Sequence, residues 1–189
     1  MSRTAVEQLL HLMDRAFTDV TGFTSVTYGE SPADVGHSLL VNLRSVGEDE
    51  WDWHPPGGHR SIFDIVRHVG ECYYVYDNHA LGDGTMNWDQ PGTVPTVENE
   101  TSTRAVLDWL REGHHRFRDH VAALTDEDLA RPGRVNWHEM KDLQWIIALM
   151  IEHDLYHAGE INHIRALRQG NDRWNWKSPW ALRPHASDR

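Results

Sequence analysis

The chain has 189 residues, a formal net charge of −11 and an isoelectric point near 5.6, so a phosphate-tracking surface, and with it a nucleic-acid partner, is not expected. No apolar run reaches membrane-spanning length and no charged-then-apolar leader opens the chain, which predicts neither a membrane helix nor export. Its one cysteine, Cys72, excludes an internal disulfide framework and fits the reducing cytoplasm, and the length suits a single domain over 1–189.

Apolar residues at Val6, Leu9, Leu10, Met13, Ala16 and Phe17 repeat at helical spacing and predict a helix over 4–19, stopped by Thr21-Gly22. The following stretch around Thr24 to Gly29 is expected to be loop. Ser31-Pro32 then reads as an N-cap with proline in the first helical position, and Val35, Leu39, Leu40, Leu43 and Val46 predict a second helix ending by Gly47. Trp51-Asp52-Trp53-His54-Pro55-Pro56-Gly57-Gly58 is expected to be a fixed turn throughout, because its prolines lack donors and its glycines permit unusual backbone angles.

A third helix over 62–81 starts after Ser61 and stops at Gly82-Asp83-Gly84, and the face that carries His68 also carries Ile65, Cys72, Val75 and His79. Residues 85–100 have no period and predict a long surface connection, with a lid over a site as one use for it. Thr101 or Ser102 caps a fourth helix reaching about Leu124, on which His114, His115 and His120 are expected as surface decoration. After a short capped turn at 125–129, a last helix over 141–169 contains no proline. Beyond Gly170 the tail with Trp174, Trp176 and Trp180 is expected to pack on the body or on another subunit. Nearly every periodic segment is helical, which predicts an all-α bundle.

The last helix carries the chemistry. At 100° per residue Ile146, Leu149, Met150, His153, His157, Glu160 and Ile164 share one stripe, so two imidazoles and a carboxylate stand where apolar side chains belong. The i, i+4 spacing stacks His153 over His157, a pair that can bind one metal ion. With fourteen histidines in the chain, about one His-x-x-x-His arises by chance, and hydrogen-bonded core histidines remain the alternative. A third donor from another helix would complete a site, and His68, mid-helix on an apolar face, is the best candidate. Cys72, one turn later, reads either as a fourth ligand or as a small apolar filler.

Trp53-His54-Pro55-Pro56-Gly57-Gly58-His59-Arg60-Ser61-Ile62, then Asp64-Ile65-Val66-Arg67-His68-Val69-Gly70, then His153-Asp154-Leu155-Tyr156-His157-Ala158-Gly159-Glu160-Ile161 together resemble the DinB/YfiT-like superfamily. The likeness covers about 33–169, leaving 1–30 as an N-terminal extension with its own helix and 170–189 as a Trp-rich tail. It implies a four-helix bundle holding a divalent metal through His68, His153 and His157. Zinc is the first expectation, with nickel, iron or manganese as alternatives. The family usually continues the pair as His-Arg-Gly-Gln-Ile, whereas this chain has His157-Ala158-Gly159-Glu160-Ile161: the arginine is lost and a carboxylate replaces the amide.

The resemblance further implies an enzyme that transfers a low-molecular-weight thiol of the mycothiol or bacillithiol type to a small electrophile. A metal-dependent hydrolase and a non-catalytic metal-binding or ligand-binding stress protein are the other classes it admits. Glu71 and Glu160, each three residues after a candidate ligand, are the candidate catalytic bases, with outer carboxylates as the plainer alternative. A homodimer is expected, as is common in such bundles.

Overall fold

A computed structural model describes residues 3–18, 38–43, 46–97 and 102–171. Among these are six α-helices, α1 (Thr4–Phe17), α2 (Leu39–Leu43), α3 (Glu48–Trp51), α4 (Ile62–Leu81), α5 (Thr103–Ala122) and α6 (Leu143–Gln169), with one 3-10 turn at Asp128–Ala130 and a two-stranded sheet, β1 (Pro132–Arg134) and β2 (Met140–Asp142). The described fold is all-α apart from that short hairpin. The stretch 24–29, the start of the second predicted helix and the tail beyond 171 lie outside the described residues.

The chain divides into two compact units, Met1–Met13 with Asp64–His153, and Asp14–Phe63 with Asp154–Arg189. In the first, α4 buries Ile65, Val66, Val69, Cys72, Tyr73 and Val75, a broad apolar stripe at helical spacing. Gly70 lies on the same buried surface, where an added Cβ would fall 2.1 Å from Trp109 Cζ3 on α5. A glycine is required there because the indole of Trp109, stacked on Tyr74 with ring centroids 5.8 Å apart, occupies the space of a side chain. The helix stops where the backbone N–H groups of Gly82 and Gly84 both donate to Asn78 O, and Gly84 takes φ +70, a left-handed conformation that glycine adopts without steric cost. Residues 85–97 then contain no helix or strand.

Helix α5 begins at the capped position the sequence predicts: Ser102 Oγ accepts from the Ala105 N–H. His114 departs from expectation. It is fully buried, with Nδ1 3.0 Å from Tyr73 Oη and its ring edge-on to that tyrosine. Its position on the Leu110–Phe117 face of α5 explains the burial. His120, half exposed, reaches the buried Asp77 carboxylate, which also accepts from Arg116 Nε at 2.7 Å. A carboxylate at that depth needs such partners.

The β-hairpin is absent from the sequence-based expectation. Gly133 pairs with Lys141 in antiparallel register, and a Cβ at Gly133 would lie 2.7 Å from Leu143 Cδ2 and 2.9 Å from Ile146 Cδ1. The missing side chain lets β1 lie directly on the first turn of α6. Lys141 and Asp142 consequently belong to β2, and α6 starts at Leu143.

In the second unit, α3 ends at Trp51, so the fixed turn is shorter than expected and Trp51 is a buried helical residue. The Glu50 carboxylate accepts from the Gly47 N–H at 2.9 Å, which starts this extra turn of helix at the position where the second predicted helix was to end. Gly58 N–H donates to Pro55 O at 2.8 Å, and Gly57 has φ +75, a type II turn with proline and glycine in the central positions those angles favour. The buried Arg165 of α6 donates to Asn42 O at 2.9 Å. It also reaches Glu50 Oε2 at 3.4 Å, and burial lowers its pKa against the raising influence of that carboxylate.

Candidate metal centre

Helix α6 positions His153 and His157 one turn apart on an unbroken run of 27 residues. The stripe expected to carry them is an inner face over most of its length: Ile146, Met150, His157 and Ile164 are buried, while His153, Leu149 and Glu160 are partly exposed. Helix α4 supplies His68, whose Nε2 lies 3.2 Å from His153 Nε2, the two rings tilted at 57° with centroids 5.1 Å apart. One ligand nitrogen from each of His68, His153 and His157 lies within 4.8 Å of the others. All three residues singled out by the sequence therefore come together.

The donor set fits a divalent metal. Two nitrogens bound to one tetrahedral zinc stand about 3.3 Å apart, close to the spacing of His68 and His153. Two imidazoles held this closely, on mostly apolar faces, need a shared proton or a shared cation between them. The residues that would hold the ion are His68, His153 and His157.

Cys72 is buried, with Sγ 3.8 Å from both His68 Nε2 and His153 Nε2. It is no member of the three-residue ligand group. One turn further along α4, Tyr76 has its pKa pushed up to about 12, first by burial and then by the neighbouring Cys72. It stays protonated and donates to Asn136 Oδ1 at 3.1 Å.

The two carboxylates named as candidate bases have definite partners. Glu71 Oε1 accepts from Thr96 Oγ1 at 2.6 Å, a bond that ties the 85–97 connection to α4 three residues from His68. Glu160 Oε2 lies 2.8 Å from His157 Nδ1, and Glu160 Oε1 lies 2.9 Å from Arg60 Nη2. Arg60 closes the Pro55–Pro56–Gly57–Gly58 turn segment and was given no role by the sequence. The signal for it was slight: an arginine beside the Pro-Pro-Gly-Gly turn and a carboxylate three residues after His157, with nothing in the sequence to pair them.

The family model of the DinB superfamily matches residues 33–161. The chain belongs to the DinB superfamily. No curated protein matches it. As a DinB superfamily member with three clustered histidines it is compatible with metal binding, and no helix among the described residues is long and apolar enough to cross a membrane.

Proposed function

We propose that this protein is a metal-dependent enzyme that transfers a low-molecular-weight thiol, of the mycothiol or bacillithiol type, to a small electrophile. The observation that carries the reading is the convergence of His68, His153 and His157, with ligand atoms within 4.8 Å of one another, which offers three neutral donors and leaves further coordination positions for a substrate. A divalent metal held there, zinc first among the candidates, supplies Lewis acidity that favours the deprotonated form of a bound thiol at neutral pH.

The chain's own residues set the terms of the reaction. Three imidazoles bring no negative charge to the ion, so its full charge acts on an incoming anion. Cys72 and the apolar residues of α4 dry the inner side of the site, which strengthens electrostatic attraction there. Glu71, bound to Thr96, stands one turn after His68, whereas Glu160 is engaged by His157 and Arg60, so a proton released by the thiol passes to Glu71 or to solvent. The cytoplasm, with its reducing thiol pool, is the matching compartment, and a homodimer the matching assembly.

The test lets two chemistries compete. Metal-loaded protein is offered mycothiol, bacillithiol and glutathione with a panel of electrophiles, and in parallel esters and amides without thiol. Metal-dependent thiol consumption supports the transferase. Metal-dependent ester or amide cleavage with no thiol consumed replaces it by a hydrolase, and inactivity in both arms leaves a binding protein.

A further inference from the structure

We propose that Arg60 and Glu160 act together as positioning residues for His157, fixing its tautomer and ring orientation for metal binding; the proposal rests on the three-histidine site described above. Glu160 lies three residues after His157, the spacing at which helical side chains meet, and its Oε2 is 2.8 Å from His157 Nδ1. A carboxylate there accepts a hydrogen bond from Nδ1–H. The proton is thereby assigned to Nδ1, and the lone pair that binds a metal comes from Nε2. The other carboxylate oxygen is held by Arg60 at 2.9 Å, and the Pro-Pro-Gly-Gly turn with its left-handed Gly57 fixes the backbone from which Arg60 springs.

A carboxylate hydrogen-bonded to imidazole raises the basicity of the ligand more than an amide does. It also brings a negative charge beside a buried ring, and Arg60 balances that charge. The Arg60–Glu160 pair is too exposed to matter much for folding: the side chains are 41% and 23% exposed, and water screens such pairs. Its consequence is geometric. With one oxygen on His157 and the other on Arg60, Glu160 cannot swing to a substrate without releasing a metal ligand, which makes it a positioning residue rather than a catalytic base.

The experiment compares Glu160→Gln, Glu160→Ala and Arg60→Ala with the parent by two readouts, zinc affinity from chelator competition and the His157 tautomer from imidazole nitrogen NMR of the metal-free protein. Glutamine keeps an acceptor for Nδ1–H, so Glu160→Gln is expected to hold the Nδ1–H tautomer and zinc affinity within several-fold of the parent. Glu160→Ala is expected to lose the tautomer preference and about 10–100-fold in affinity, with Arg60→Ala between them. A parental tautomer in Glu160→Ala, or equal losses in the glutamine and alanine variants, overturns the proposal. The NMR readout needs no metal, so a parent that binds no zinc refutes the metal site while the tautomer still decides the role of Glu160.

Discussion

His68 and His153 lie 85 positions apart in sequence and bring their Nε2 atoms to 3.2 Å. Neutral imidazoles approach this closely when one donates to the other or when both serve one ion, and a third imidazole from His157 in the same cluster favours the ion. His153→Ala should therefore remove stoichiometric metal from protein purified without a histidine tag. Elemental analysis gives the result directly, and a variant that still binds one equivalent tightly would show that the ligands are misassigned.

Cys72 Sγ touches the same two nitrogens at 3.8 Å, yet three histidines suffice for a site with an open position. Cys72→Ala should keep the parent's metal content and lose about 1 kcal/mol of stability for the small volume removed from the core. Loss of metal from a folded Cys72→Ala protein would point instead to a closed, structural site.

Gly70 gives the packing of α4 on α5 a sharp test. A Cβ at 2.1 Å from the Trp109 ring cannot be absorbed without moving an indole that is stacked on Tyr74, and overpacking of this kind costs about 1–3 kcal/mol. Gly70→Ala should lower the denaturant midpoint accordingly. Adding Trp109→Leu should recover part of that loss relative to Trp109→Leu alone; strict additivity in the double-mutant cycle would mean that the two residues do not share this space.

Asp128 accepts from the Thr125 backbone N–H and from Thr125 Oγ1, each at 2.8 Å. These bonds favour the carboxylate and hold its pKa below the ordinary value, the backbone bond contributing most. A depressed folded pKa means that this contribution to stability is present above the unfolded value of about 3.9 and is lost as pH falls through the folded one. In Thr125→Val the Asp128 midpoint followed by NMR should rise yet remain below the ordinary value, because the backbone bond survives. An unchanged midpoint would assign the shift to other groups.

Local pattern determined a great deal of this protein. The 3.6-residue period of α1, α4, α5 and α6, the Ser102 cap, the glycine stop after Leu81 and the proline-glycine turn all arise from neighbours in sequence, where spacing and backbone preference suffice. The same period put His153 and His157 on one face and made His68 conspicuous. Tertiary structure decided what depends on partners distant in the chain. The hairpin at 132–142 escaped notice because its strands are three residues long and exist through the fit of Gly133 against Leu143 and Ile146. His114 reads as a surface residue until Tyr73, forty-one positions away, is seen to take its Nδ1. Arg60 and Glu160 are an unremarked cation and a possible base in one dimension, and only the folded chain joins them through a shared carboxylate to His157. Periodicity reports which face of a helix is inward; it carries no information on which polar groups meet there, because that is set by long-range geometry.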